Sequence, residues 1–344
     1  MTDPAAIPGA DASVEAAELA ALRADPPTLA LLSTQIGTDY LVPAFEAACP
    51  GVVLHHTAAL TGADAPLDRI EAAVCWVPPD GLLARLPRLR LIQSLAAGID
   101  HLLRDPALPR QVPLARIVDP EMASGMAAYV AWAVTQHQRH MGAYLAQQRE
   151  ALWREQPVQH PRHHRVGIAG YGALGQACAR ALRAIGYTVR GWRRSAGPAE
   201  DGHDDHLLLF HGAAGLDDFL AGCDTLVCLL PLTDETRGLL DARLFARLPR
   251  GAHLVNVGRG EHLVEPDLLA ALDSGQLGAA TLDAFAQEPM PPEHPFWKHP
   301  RITVTPHIAT RTPAAVIARQ TLAHLAAVRA GRAHAVAIDL DRGY

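Results

Sequence analysis

At 344 residues the chain is longer than one compact core usually supports, which predicts two domains, each large enough to bury its own apolar interior. Apolar residues make up 49%, yet charges interrupt them throughout and no uninterrupted apolar run reaches the ~20 residues that cross a bilayer, so the composition argues against a helical membrane protein and fits a cytoplasmic one. A net charge of −6 with acids and bases locally mixed leaves no basic face for a nucleic-acid backbone, and the five cysteines, mostly set in apolar stretches such as TLVCLL, read as reduced core residues without metal-type spacing.

Residues 1–24 carry Asp3, Asp11, Glu15 and Glu18 against the single basic Arg23, the wrong charge pattern for a secretory or mitochondrial leader, and read as a frayed, flexible, Ala-rich extension. A first β/α series follows: strand Thr28–Ser33, a helix around Val42–Ala48, strands near Val52 and over Ala72–Trp76, and a strand over 89–94. Apolar runs of this length bounded by Pro, Gly and Asp suit strands buried on both faces of a parallel sheet, because half-buried strands would alternate polar and apolar. From Pro120 one long helix is expected through GMAAYVAWAVTQHQRHMGAYLAQQREALW, a spine that connects or covers two domains.

After a polar loop over 156–164, a second series is expected with strands Arg165–Ala169, 188–192, 225–230, 253–257, 279–282 and 302–305, six in all. Asp241 before ARLFARL and Glu265-Pro266 before DLLAALDSG mark helix starts, and Gly275 supplies a stop. A last helix over about 313–330 has apolar positions that need a partner, for which the first domain is the obvious candidate. The pattern predicts an α/β protein of two doubly wound parallel-sheet domains, Rossmann-like or flavodoxin-like, with a cleft between them. His160, His163, His164, His203 and His206 fall in polar loops and read as solvated, and no metal site is expected.

Gly170-Tyr171-Gly172-Ala173-Leu174-Gly175 follows the apolar strand VGIA and opens the helix ALGQACARALRAIG. In that context the first glycine can make the tight turn, the second can admit a pyrophosphate, and the third can allow close helix-to-strand packing, with the helix N-terminus facing the phosphates. An NAD site would place Asp or Glu at the end of the next strand to hold the ribose hydroxyls. Here that strand ends in Arg193-Arg194-Ser195, two guanidinium groups and a hydroxyl suited to a 2′-phosphate, which predicts NADP(H) over NAD(H); a solvated charge pair would have the same composition.

Reduction of a 2-oxo acid needs a cation for the carboxylate, a proton donor for the carbonyl oxygen, and a group to keep that donor charged. Arg259 in VNVGRG, Glu288 in FAQEP and His307 in TPHIA offer these, each just past the carboxyl end of an expected strand, where open α/β sheets bind ligands.

With these segments the chain closely resembles the D-isomer-specific 2-hydroxyacid dehydrogenase family, and within it the glyoxylate/hydroxypyruvate reductase A branch. The matching stretches are RVGIAGYGALGQ, VRGWRRS, LVCLLPLTDETRGLL, LVNVGRGEHLVEPDLLAALDSG, LDAFAQEPMPPEHPFWKHP and RITVTPHIA, in the family's order; CWVPP and SLAAGIDHLL match more loosely. Gly258, where alanine is usual, and the extended N-terminus depart from the pattern.

The resemblance implies that Arg259 clamps the substrate carboxylate and carbonyl, that His307 is the general acid and base, and that Glu288 hydrogen-bonds the other imidazole nitrogen and favours its charged form. It implies that Asp283 bonds the nicotinamide carboxamide, that Leu230, Pro231 and Thr236 line the cofactor's ribose side, and that Trp192 and Val257 lie beside the cofactor. Ala97 and Gly98 would receive the carboxylate on backbone N–H groups, and Trp76 would wall the pocket, though core packing suits it equally. The implied architecture is a discontinuous substrate domain, 25–118 with 310–344, and an NADP-binding domain, 119–309. The long helix and following loop resemble the family's dimer arm, which implies a homodimer. Two alternatives stay open: a relative acting on lactate or a bulkier 2-oxo acid, and a dinucleotide-sensing corepressor-like scaffold.

Overall fold

The computed structural model describes residues 12–195 and 207–332. They divide into two compact units, one reaching to Glu121 and resuming at Thr312, the other Met122–Arg311. Each is a parallel α/β unit, as the sequence pattern predicts.

The first unit contains α1 (Ala12–Ala24), β1 (Thr28–Ser33), α2 (Val42–Ala48), β2 (Val53–His56), α3 (Thr57–Leu60), β3 (Ala72–Trp76), β4 (Leu91–Ser94), α4 (Asp100–Leu103) and β5 (Leu114–Ala115). Its sheet has the order β2-β1-β3-β4-β5, all parallel, which is the flavodoxin-like arrangement. The inner strands β1, β3 and β4 are buried on both faces, as their uninterrupted apolar runs require, while the edge strand β2 is partly exposed.

Residues 12–24 correct the expected frayed extension. They form α1, with Leu22 buried, the Leu22 carbonyl facing the Cys49 thiol, and Arg23 donating to the Ala48 carbonyl. Glu18 pairs with Arg332 at the far end of the chain. An Ala-rich stretch has high intrinsic helix propensity, and here a neighbouring helix gives it a buried face.

The second unit opens where the sequence predicts one long helix, but the structure has two: α5 (Pro120–Gln138) and α6 (Met141–Arg149), broken at His140, which adopts a left-handed conformation. The buried stripe Met126, Val130, Ala133 and Val134 ends before the break, and α6 buries no residue, so packing ceases to hold the helix axis there. The unit continues with β6 (Arg165–Ala169), α7 (Ala173–Ile185), β7 (Thr188–Arg193), β8 (Leu207–His211), α8 (Leu216–Ala221), β9 (Thr225–Cys228), α9 (Ala242–Phe245), β10 (Ala252–Asn256), α10 (Glu265–Asp273), β11 (Leu277–Leu282) and β12 (Ile302–Val304). The last helix, α11 (Ala314–Arg329), belongs to the first unit.

The second sheet runs β12-β11-β10-β9-β6-β7-β8, a Rossmann order in which the chain reverses direction at β6/β9. It has seven strands rather than the expected six. The extra edge strand β8 follows the polar run DGHDDH, which hides its onset in sequence. Asp241 caps α9 by accepting from the Leu244 N–H, and Gly275 sits at φ +71° past α10, as their types predict. All five cysteines are buried and unpaired, and no helix among the described residues is long and apolar enough to cross a membrane.

Candidate active site

The glycine turn stands at the β6/β9 reversal. Gly170 has φ +102°, and a Cβ there would lie 2.6 Å from the Leu229 carbonyl oxygen; a Cβ on Gly175 would lie 2.2 Å from the Gly170 carbonyl oxygen. Both positions therefore require glycine. A Cβ on Gly172 would meet nothing within 4 Å, so the second glycine opens onto free space at the N-terminus of α7, where Ala173 is exposed and Leu174 half-buried. That opening is what a pyrophosphate requires.

Trp192 closes the turn from β7: its carbonyl accepts from the Gly170 and Tyr171 N–H groups, and its indole donates to the Gly212 carbonyl. Arg193, Arg194 and Ser195 follow at the carboxyl end of the strand, partly or fully exposed. Leu230 and Pro231 extend past β9, and the Thr236 hydroxyl staples their loop by donating to the Pro231 carbonyl at 2.7 Å and accepting from the Thr233 N–H at 2.8 Å. Val257 is buried in the core beside β10.

The structure brings His307 and Glu288 together: His307 Nδ1 lies 2.8 and 3.0 Å from the two Glu288 carboxylate oxygens. Glu288 also accepts from the Phe285 N–H at 2.9 Å. Burial opposes the Glu288 charge, but the hydrogen bonds from His307 and Phe285, with the charges of His307 and Arg259, outweigh it and hold the carboxyl below its ordinary value. The Arg259 guanidinium is thus within electrostatic reach of the pair. Gly260 explains how the two loops come so close, because a Cβ there would collide with the Phe285–Ala286 backbone at 1.8 to 2.4 Å.

His307 itself has φ +52°, an uncommon conformation for a residue with a side chain, so its loop needs anchoring. Asp283 supplies the anchor. Its carboxylate accepts from Thr305 Oγ1 at 2.6 Å and from the Ile308 and Ala309 N–H groups at 2.8 Å each. Tyr129 adds a contact to Thr305 Oγ1 at 2.5 Å. Sequence reasoning missed this network, and it also missed His262, whose ring is fully buried between Arg259 and Pro231.

In the first unit, Trp76 ends β3 and rests against His101 with ring centroids 4.8 Å apart. Ser94 shapes the next loop by donating to the Gly98 carbonyl and accepting from the Ala96 N–H. Among the described residues the N–H groups of Ala97 and Gly98 have no protein partner, and both residues are partly exposed.

Two histidine readings need correction or restriction. His164 is buried and bonds the Thr225 hydroxyl at 2.9 Å, rather than being solvated, because it directly precedes β6 and turns inward with it. His160 and His163 are exposed, while His203 and His206 lie outside the described residues. Among the described residues no His, Cys, Asp or Glu group could hold a metal ion.

A Rossmann sheet with a glycine turn at its reversal point, and an imidazole–carboxylate pair at its carboxyl edge, defines a dinucleotide-dependent oxidoreductase. The family model for the D-isomer specific 2-hydroxyacid dehydrogenase, NAD binding domain, matches residues 131–309. A glyoxylate/hydroxypyruvate reductase A of Yersinia enterocolitica is 42% identical over 281 residues, 80% of this chain and 88% of that protein. Among solved structures, the NADPH-dependent glyoxylate/hydroxypyruvate reductase of Sinorhizobium meliloti in complex with NADP and sulfate superposes with a TM-score of 0.83 at 36% identity, covering 92% of this chain and 100% of that one. A D-isomer specific 2-hydroxyacid dehydrogenase from Xanthobacter autotrophicus in complex with NADPH and MES gives 0.81 at 36% identity, covering 92% and 99%. The chain belongs to the D-isomer-specific 2-hydroxyacid dehydrogenase family.

Proposed function

We propose that the protein reduces a small 2-oxo acid, glyoxylate or hydroxypyruvate, to the 2-hydroxy acid with NADPH. The observation that carries this reading is the His307–Glu288 pair at 2.8 Å with Arg259 in electrostatic reach. The names of the Yersinia and Sinorhizobium relatives support the substrate class, and the NADP and NADPH complexes support the cofactor.

On this reading the unit around residues 119–309 holds the dinucleotide, and residues 25–118 with 310–344 bind the acid. Gly170, Gly172, Ala173, Leu174 and Gly175 receive the pyrophosphate. Arg193, Arg194 and Ser195 take the 2′-phosphate, since β7 ends without an acid that would repel it. Trp192, Leu230, Pro231, Thr236, Val257 and Asp283 border the rest; three of the four acceptor sites on Asp283 are already used, which leaves one for a carboxamide. Bound NADPH would supply the hydride.

The chain's own residues do the remainder. Arg259 fixes the carboxylate through charge-assisted hydrogen bonds, and Trp76, Ala97 and Gly98 are read as the first unit's acid-binding residues. His307 holds a proton on Nε2 and delivers it to the carbonyl oxygen. Glu288 accepts from Nδ1–H throughout, which fixes the ring and stabilises its charged form before transfer. The protein is also read as a homodimer.

The test is steady-state turnover of a panel of 2-oxo acids, including pyruvate and a bulkier acid, with NADPH and with NADH. Glyoxylate or hydroxypyruvate with NADPH is expected to give the highest kcat/KM. His307→Ala is expected to lower kcat by about 10²–10⁴-fold with NADPH binding retained. Near-parental turnover by that variant would remove the acid–base role.

A further inference from the structure

His262 lies three residues past Arg259, and its imidazole is completely buried. Nδ1 accepts the Arg259 backbone N–H at 3.0 Å, so the ring proton sits on Nε2, which donates to the Pro231 carbonyl at 3.2 Å. The ring thereby ties together two loops that leave neighbouring strands, one from β10 bearing Arg259 and one from β9 bearing Leu230 and Pro231.

The chain makes room for this ring at Gly258. A Cβ there would stand 3.0 Å from both Cε1 and Nδ1 of His262 and 3.2 Å from the Leu230 carbonyl oxygen. The glycine at 258 and the buried imidazole at 262 are therefore packed as one feature. The backbone of the turn is held independently, by the Leu240 N–H to the His262 carbonyl at 2.8 Å and the Val264 N–H to the Leu240 carbonyl at 3.0 Å. Removing the side chain leaves these bonds in place.

We propose that His262 is a positioning residue that sets Arg259 against the Leu230-Pro231 turn, and that Gly258 is glycine in order to admit its ring. This rests on the reading of Arg259 as the carboxylate clamp. A guanidinium that binds a carboxylate through a fork depends on where its backbone stands, so freeing the Arg259 N–H loosens substrate binding first. The Pro231 bond extends the effect to the dinucleotide side.

The experiment measures kcat and KM for glyoxylate and KM for NADPH, with a thermal melt for each variant of the full-length protein. His262→Ala is expected to raise the glyoxylate KM by about tenfold and to change kcat by less than about threefold. His262→Gln, whose amide can both accept from the Arg259 N–H and donate to the Pro231 carbonyl, is expected to recover most of the loss. Gly258→Ala is expected to raise the glyoxylate KM in the parent and to add less in the His262→Ala background, where the ring is gone and only the 3.2 Å approach to the Leu230 carbonyl oxygen remains.

Arg259→Ala distinguishes the two levels. If it raises the glyoxylate KM steeply while His262→Ala does not, the positioning role is overturned and the clamp stands. If Arg259→Ala leaves that KM unchanged, the clamp reading falls and the role of His262 with it. A His262→Ala variant that loses only melting temperature, with both KM values parental, also overturns the proposal.

Discussion

Both oxygens of Asp283 are committed to the loop that carries His307, through the Thr305 hydroxyl and the Ile308 and Ala309 N–H groups. Burial pushes the Tyr129 phenol up, so it stays protonated and donates to Thr305, leaving the Thr305 proton for Asp283. Asp283→Ala strands three buried or half-buried donors at about 1–3 kcal/mol each, less what solvent recovers. The expected result is a melting temperature lower by several degrees and a fall in kcat, because the φ of +52° at His307 loses its support. Asp283→Asn is expected to do nearly as badly, since its NH₂ would face a loop N–H; calorimetry with parallel kinetics checks both, and a parental melt for Asp283→Ala would refute the anchoring. The type of residue at 259, 288 and 307, each following an apolar run, made legible in sequence the three positions of which the structure pairs His307 with Glu288 and brings Arg259 within electrostatic reach. The anchors were not, because Asp283 takes backbone donors 25 and 26 residues away, and an N–H has no residue type to betray it.

At the scale of elements, the amino-terminal edge of the second sheet gathers histidines from three segments: His137 on α5, His164 before β6 and His253 on β10. His137 stacks on His253 at 4.3 Å, and His137 and His164 line a cavity of about 450 Å³ together with His140, His163, Arg165 and Asp224. Burial, with the charges of His164 and His140, pushes His137 down to about 4, and burial depresses His164 and His253 as well. Each is a base whose folded pKa lies below its unfolded value of about 6.5, so the unfolded chain binds more protons and stability falls as pH drops. The loss begins near pH 6.5 and is complete, for His137, near pH 4, on the order of 3 kcal/mol. Asp224 acts in the same direction at lower pH: burial raises it, but the Arg165 hydrogen bonds and charge lower it further, so its contribution goes only below the usual aspartate range. His137→Phe keeps the stacking and is expected to flatten stability between pH 6.5 and 4, followed by urea unfolding across pH; an unchanged slope would exonerate the cluster. Strands flanked by Pro or Gly, such as β1, β3 and β6, were legible because burial on both faces demands unbroken apolar runs. The break at His140 and the edge strand β8 were not, since one comes from packing that stops and the other follows a polar run.

At the scale of the molecule, two parallel sheets account for the length, and that there are two was readable from two β/α series with a glycine turn heading the second. The fate of residues 12–24 was not, because the helix depends on packing contributed by α11, some 300 residues later. A second surface lacks such a partner among the described residues. From the outer side of α5 through α6 to residue 158, Trp132, Met141, Leu145, Leu152, Trp153 and Val158 are exposed, Trp153 at 97% and Val158 at 73%. A nine-residue helix with no buried residue has little to hold it in water, and monomers rarely carry so many large apolar side chains along one stretch. A second copy meeting this surface about a twofold axis would bury both sets at once, each residue finding the same patch on its mate. Light scattering on the eluting protein is expected to give twice the 36.7 kDa chain mass. Leu145→Glu with Trp153→Glu places charges in that contact and is expected to give the single-chain mass while both sheets stay folded by circular dichroism. A parent protein that elutes as one chain at micromolar concentration would leave this surface without the role given to it.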